Sequence, residues 1–486
     1  MKKLFFFVLA GILIIPVFDS CKKNTGGVTP KPDPPKPPVE TPEPIYPKKE
    51  MRGVWMATVW GLDWPQGVYS VAGQKKQYTD YLDKFKNLNI NAVFVQIKGM
   101  GDAFYNSPYE PWSANITGTR GQDPGYDVLK FMIDEAHNRG IEFHAWLNPF
   151  RIATRSSTAT PYPPLHPTVS ADWVLNHEKW QMYNPAVPEA RQRLVDIVKD
   201  LITKYEVDGV HMDDYFYPDP TSAGQMVSDQ PDFQKYGAGY SKIEDFRRGN
   251  VDKMIQAVHN LIVATKPQVV FSVSPTSDFA YNKNTLYADV MNWRDWIDVI
   301  IPQIYQSSSF ATRLDNWDIF NNKPALMIGH GYYLMTSSSE IMDQINQTRK
   351  KKSALGNLMY SAKYLNEKPG ITAMLANLYK NPAVIPFLGR AVAAAPSTPS
   401  NARIEGTILK WTTSGSVKSV VYFFSDLKKE GSVLAITDKT EWPVIEAGNY
   451  SITAINADNQ ESVPTKLLQK ATPTIPPNSV VKRIEF

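Results

Sequence analysis

Cysteine is almost missing from this chain: Cys21 is the only one in 486 residues. A single thiol excludes an internal disulfide and any cysteine-rich metal site. No Gly-rich phosphate loop is present, which removes the usual nucleotide-binding signature. Charge of one sign is lacking too. Against 52 Lys and Arg stand 48 Asp and Glu, a net +4, so no extended field for polyanions exists and no nucleic-acid partner is expected. The apolar run at 4–18 is too short for a comfortable membrane span.

What is present is ordinary in bulk. Hydrophobic residues make up 43% and charged residues 21%, the balance of a globular protein with a full core. The length allows one large domain plus a smaller one. The 12 Trp and 24 Tyr are generous, although aromatics are mostly core.

The first 21 residues read as an address. Met1-Lys2-Lys3, the apolar run and then Asp19-Ser20-Cys21 form the three parts of a secretory signal. A small residue before a cysteine resembles a bacterial lipobox, with cleavage before Cys21 and acylation of its thiol. Phe18 and Asp19 depart from the strict pattern and match the looser lipoboxes of Bacteroidetes. The bland alternative is a cleaved signal with Cys21 incidental. Residues 22–48 are proline-rich from Pro30 onward and are expected to form a semi-rigid stalk. The expected product is an exported lipoprotein tethered to a membrane of a Gram-negative bacterium, in the periplasm or at the cell surface. Lys22-Lys23 lacks an acidic export tag and favours the periplasm.

From residue 49 the pattern changes. Apolar segments at 52–60, 92–98, 142–149, 209–215, 269–274, 299–305, 325–331 and 357–363 read as strands. Several are nearly continuous apolar runs, as parallel strands covered on both faces should be. Between them lie helical faces. Leu194, Val195, Ile197, Val198, Leu201 and Ile202 keep the i, i+3, i+4 spacing, with Pro188 suited to a first turn. Eightfold strand–helix alternation predicts an α/β fold, a (β/α)8 TIM barrel over 49–392. A doubly wound sheet is the alternative, since strand order is not readable. A linker follows at 393–402, then short strands at 403–470 predict a small C-terminal β-sandwich. Trp411 and Gly448-Asn449-Tyr450 resemble fibronectin type III modules. Residues 471–486 are expected to be a tail.

Catalytic groups of a barrel lie at the C-terminal strand ends. The fourth strand ends His211-Met212-Asp213-Asp214-Tyr215-Phe216-Tyr217. Period-two alternation puts His211 and Asp213 on one face. Glycoside hydrolysis needs two carboxyl groups, one to donate a proton and one to attack or activate water. Asp213 is the candidate for the second task and Asp214 its neighbour. The proton donor is open between Asp214 and three loop carboxylates, Asp278, Glu110 and Asp63, each of which is more often a solvated loop residue. Candidate sugar-binding groups are Arg52, Trp55 and Trp60 on the first strand, Gln96 and Lys98 on the second, and Trp146, Asn148 and Arg151 on the third. His211, Tyr215 and Tyr217 follow on the fourth, Gln303 and Tyr305 on the sixth, and His330 on the seventh. Buried polar atoms need partners, and a ligand is one kind; neighbouring strands are the other. Aromatic faces suit sugar rings but usually pack loops. For His144 the core is the better reading.

Several segments in order carry a family resemblance: MRGVWMATVWGLDWP, AVFVQIK, FHAWLNPFR, DGVHMDDYFYP, DFRRGNVDKMI, FSVSP and WRDWIDVIIPQIY. Together, over 49–390, they resemble glycosyl hydrolase-like family ten. That resemblance implies a (β/α)8 barrel and a glycosidase. It also implies cleavage of peptidoglycan glycan strands stripped of stem peptides, or of another polysaccharide. Asp208-Gly209 followed by Asp213 is also similar to the fourth strand of the α-amylase superfamily, which implies a nucleophilic role for Asp213. The glutamate that superfamily carries after its fifth strand has no evident counterpart, because Ser274-Pro275-Thr276-Ser277-Asp278 stands there.

Three readings therefore compete. The favoured one is an endo-acting glycosidase without a cofactor. A glycan-binding lipoprotein on the same barrel would lack a working acid. A metal-dependent hydrolase would use His211, Asp213 and Asp214, but no second ligand cluster is apparent and no metal is expected.

Overall fold

The structure is a computed structural model that describes residues 42–320, 323–390 and 392–471. The signal segment, Cys21, most of the proline-rich stretch and almost all of the tail lie outside the described residues. Eight parallel strands close a barrel: β1 (Met51–Met56), β2 (Ala92–Lys98), β3 (Glu142–Leu147), β4 (Gly209–Met212), β5 (Val270–Val273), β6 (Val299–Ile300), β7 (Ala325–His330) and β8 (Ala354–Tyr360). Their order around the barrel is the chain order, and β1 pairs with both β2 and β8. A doubly wound sheet is thereby excluded.

Alternation along each strand sorts side chains between two apolar clusters. Met51, Trp55, Ala92, Phe94, Trp146, Val270, Val299, Met327 and Leu358 fill the interior. Val54, Val93, Val95, Phe143, Val210, Phe271, Leu326 and Met359 face outward, against the helices. Two close approaches demand glycine. A Cβ on Gly209 would lie 2.1 Å from Nδ1 of His144, and one on Gly329 would lie 2.7 Å from the Trp55 ring. Both interior rings therefore fit only because a neighbouring strand carries no side chain there.

The outer ring forms for local reasons. Ser70 caps the helix Val71–Asn87 by accepting from the Gly73 N–H. Pro188 opens Pro188–Lys204, where its missing N–H costs nothing. That helix buries Leu194, Ile197, Val198, Leu201 and Ile202, each worth about 1.5–3 kcal/mol when fully buried. An insertion between β3 and β4 forms a three-stranded antiparallel sheet from Arg151–Thr154, Val174–His177 and Trp180–Tyr183. It was not expected from the sequence, and it matters for the site.

The C-terminal module is a small β-sandwich. One sheet joins Ser400–Glu405, Ile408–Thr412 and Glu441–Pro443; the other joins Ser432–Thr437, Lys418–Phe424, Gly448–Ile455 and Leu468–Lys470. Leu409, Trp411, Val421, Tyr450 and Ile452 pack between the sheets. Tyr450 Oη donates to the Glu446 carbonyl at 2.7 Å, the bond of a tyrosine corner. The outer face of the larger sheet is also covered: Val420, Tyr422 and Phe424 pack with Val384 and Tyr46. Tyr46 Oη donates to Ser451 Oγ, and Ile45 bridges Glu430. Residues 43–48, expected to belong to the stalk, are therefore part of the folded body.

Candidate active site

The polar centre sits where β4 ends. Asp213 is 3% exposed, and three donors hold its carboxylate. Asn148 Nδ2 donates to Oδ2 at 2.6 Å, Trp146 Nε1 to the same oxygen at 3.2 Å, and the Tyr215 N–H to Oδ1 at 3.2 Å. Asn148 is itself fixed. Gln96 Nε2 donates to its Oδ1, and Gln96 Oε1 accepts from the N–H groups of Thr58 and Val59 at 3.0 and 2.9 Å. A relay from the loop after β1, through β2 and the end of β3, thus aims Asp213.

Asp214 is half-buried and reaches the other way around the mouth. Gln303 Nε2 donates to its Oδ1 at 3.1 Å and to the Ser274 carbonyl at 2.8 Å. Burial, then the charge of Asp214, pushes the Asp213 pKa up from the ordinary carboxylate range, while Arg151 pulls it back. Burial also raises Asp214; the Gln303 bond opposes this and Asp219 adds to it. The charge of each carboxyl bears on the other, so the two titrate as a pair.

His211 lies one layer deeper and is fully buried. Its Nε2 accepts from Trp55 Nε1 at 3.0 Å, and its Nδ1 meets Ser272 Oγ at 2.8 Å. Burial, then the neighbouring His144, pushes its pKa well below the ordinary value, so it stays neutral. His211 and Trp55 form the floor of the site and are closed to a ligand, which corrects their expected sugar-binding role. Gln96, 1% exposed and with its amide engaged at both ends, is likewise a support for Asn148.

Aromatic groups ring the mouth. Trp60, in a left-handed turn at φ 55° after β1, is 63% exposed. Tyr215 stacks on Trp180 of the inserted sheet at 6.3 Å, and Arg151 lies over both rings. On the far side Tyr305 stacks on Tyr360 at 5.8 Å, with Tyr333 against both. Trp180, Tyr333, Tyr360 and Asp219 were not anticipated. Tyr360 ends β8, a position at which strand-end chemistry is expected in any barrel.

Other expected site residues are elsewhere. Arg52 shares the outward parity of Val54; its Nε donates to Glu50 at 2.9 Å and its Nη1 to the Asn381 carbonyl. His330 is outward too, between Gln344 and Asn357 at 2.8 Å each. Tyr217 is 1% exposed and packs on Tyr287. Lys98 is fully buried beside Glu110 at 3.9 Å and donates to the Met100 carbonyl. Asp278 caps the helix Phe279–Asn284 and pairs with Arg313 at 2.6 Å. The Tyr281 N–H, with Arg313, holds the Asp278 pKa below the ordinary value, the opposite of what a proton donor needs. Asp63 is fully buried and accepts from the Ala57 N–H, Ser361 Oγ and the Lys363 N–H. Burial raises it to about 6, but its oxygens serve to tie two loops together. Glu110 is sealed with Tyr183 and Lys98. Only Asp213, Asp214, Asn148, Arg151, Trp146, Gln303, Tyr215, Tyr305 and Trp60 remain at or around the mouth. A separate cleft of about 590 Å³ lies at the opposite end, bordered by Glu142, Asp208, Lys418 and Asn459.

Residues 50–347 match the family model glycosyl hydrolase-like 10, more than half of the chain. The chain belongs to glycosyl hydrolase-like family 10. The matched span includes β1 to β7 and every residue of the Asp213 relay. The chain is 36% identical over 440 residues to the glycosyl hydrolase YngK of Bacillus subtilis, covering 81% of this chain and 86% of that one. It is 35% identical over 350 residues to the glycosyl hydrolase DigH of Escherichia coli K12, covering 63% of this chain and 78% of that one. Among solved structures, the glycoside hydrolase domain of PgaB from Bordetella bronchiseptica covers 68% of this chain and 98% of its own, at 11% identity and a TM-score of 0.47. The family 10 barrel is established here by its own strand pairing.

Proposed function

We propose that this family 10 protein is an endo-acting glycoside hydrolase of glycan strands, including peptidoglycan strands stripped of stem peptides. The observation that carries this is the pair of buried Asp213 and half-buried Asp214, both with raised pKa values, at the mouth of a barrel rimmed by aromatic faces. Asp213, aimed by Asn148 and Trp146, bears on the anomeric carbon, either directly or through water. Asp214, the more open of the two, gives a proton to the leaving oxygen. A raised pKa keeps that proton available near neutrality, where an ordinary carboxyl has lost it. Trp60, Tyr215 and Tyr305 offer stacking faces to the flanking sugars. The names of YngK and DigH support the same reaction class.

The test is product release from denuded peptidoglycan glycan and a polysaccharide panel, read by mass spectrometry. Wild type should release oligosaccharides, and Asp213→Asn should be slower by at least about 10³-fold. Equal cleavage by both would remove Asp213 from the mechanism. Binding without cleavage by the wild type would favour the glycan-receptor reading, which the unavailability of Asp278 and Asp63 as proton donors keeps in play.

The protein is further proposed to be an exported lipoprotein anchored through Cys21. Fatty-acid labelling of the wild type, absent in Cys21→Ser, checks this; equal labelling would refute it.

A further inference from the structure

Arg151 opens the first strand of the inserted sheet, directly beside the catalytic pair, and is only 5% exposed. Its Nε donates to the Gly99 carbonyl at 2.8 Å, which fixes the guanidinium plane. The face lies over the Tyr215 ring at 4.6 Å and the Trp180 ring at 5.8 Å. Its charge reaches Asp213 and Asp214 through space, yet among the described residues it forms no ion pair with either. Nη1 and Nη2 donate to nothing among those residues, and neither is sealed from solvent.

That is an unusual state for a buried cation. Arg247, equally buried, gives its donors to both oxygens of Asp229, to Tyr287 and to the Met226 carbonyl. Arg349 grips both oxygens of Glu50. The Arg151 fork is held in place through Nε yet open at its Nη edge, and its geometry matches a carboxylate held by two parallel bonds. Lysine could not replace it in that role. The rings on its face block one side and leave the fork edge for a ligand.

We infer that Arg151 reads a carboxylate carried by the sugar at, or next to, the bond that Asp213 cleaves. This rests on the proposed glycosidase function and specifies its substrate class as acidic glycans. Two sources share the chemistry: the lactyl ether of a muramic acid whose stem peptide has been removed, and a uronic acid. In the first case the free lactyl carboxylate would tell a denuded strand from one still bearing peptide, where the same carbonyl is an amide and carries no charge.

The experiment compares three oligosaccharides: a denuded muramic strand, the same strand with its lactyl groups converted to neutral methyl amides, and a uronic-acid oligosaccharide. Cleavage is measured with wild type, Arg151→Lys and Arg151→Gln, and binding by calorimetry on Asp213→Asn with and without Arg151→Gln. Wild type should prefer the free carboxylate over the amide by about 10- to 100-fold in kcat/KM, the range for a charge-assisted pair. Arg151→Gln should bring that ratio close to one, and Arg151→Lys, which keeps the charge and loses the fork, should lower it less. Because a ratio is read, a general loss of activity from a disturbed Asp pair cancels. Preference for the muramic or the uronic arm identifies the source, and either supports the inference. Equal handling of free and amidated strands by wild type, or a ratio unchanged in Arg151→Gln, overturns it. Discrimination in binding without any cleavage would keep the Arg151 assignment and defeat the hydrolase reading, so the two fail separately.

Discussion

Two buried charge clusters occupy opposite sides of the same barrel wall, and they are built on opposite principles. Outside, under the helix Ser338–Lys350, Glu50 is fully paired. Arg349 donates to both of its oxygens at 3.0 and 2.8 Å, Arg52 at 2.9 Å and Asn357 at 2.8 Å. Burial alone would raise the Glu50 pKa, yet Arg349 and Arg52 hold it below the ordinary value. Inside, at the mouth, Asp213 and Asp214 lie beside a cation that touches neither, and both pKa values rise. A charge cluster that satisfies itself serves the fold. One that leaves a carboxylate and a guanidinium fork open serves a ligand.

The outer cluster is most vulnerable at Glu50. Glu50→Gln leaves the buried Arg52 and the half-buried Arg349 without their counter-ion, and removing one partner of a buried pair costs about 3–5 kcal/mol. The sign in pH follows from a lowered folded pKa: the stabilisation is present above the unfolded value and is lost as pH falls through the folded one. Thermal unfolding from neutral to acid pH measures this, and the wild type–variant gap should narrow in acid. Cleavage by the folded variant should stay within about two-fold, because no member of this cluster faces the mouth.

A smaller effect is expected at the relay. Asn148→Ala removes the 2.6 Å bond to Asp213 and should lower kcat about 10- to 100-fold, as positioning losses do. That bond favours the ionised form, so its loss raises the Asp213 pKa further and moves the acidic limb of kcat/KM to higher pH. An unmoved limb would mean that Asn148 does not act through Asp213. Smallest is Trp60→Ala. Losing one exposed stacking face should raise KM a few-fold, worth about 1 kcal/mol, with kcat unchanged.

How much of this was legible in the sequence differs between fold and site. All eight barrel strands were located, because strands buried on both faces read as apolar runs. Their ends were read too long where backbone pairing stops before the polar residues do. β4 ends at Met212 and β6 at Ile300, and the Gln303 backbone makes isolated bridges to Thr276 and Gly329. The eighth strand was begun late, since it starts at Ala354 rather than 357. The inserted sheet that supplies Trp180 was missed; its strands of four residues are too short to show a period.

At the site, Asp213 and its neighbours on β3 and β4 were readable because one strand end carried them. Arg52 and His330 were misplaced although their parity with Val54 and Ile328 was available in the sequence. Asp278 and Asp63 could be set aside only once the partners of each were known, and those lie as far along the chain as Arg313 and Ser361. No local pattern carries that information.

On the proposed mechanism, the Asp213 charge is held at the mouth for chemistry and against stability. A folded pKa raised above the unfolded value means that ionised Asp213 weakens the native state as pH rises through the carboxylate range. The most direct measurement is therefore thermal unfolding and glycan cleavage of Asp213→Asn beside wild type at neutral pH. Loss of cleavage with an unfolding midpoint equal to or above that of wild type is the predicted result. A variant that still cleaves, or that loses cleavage only because it unfolds at lower temperature, would contradict it.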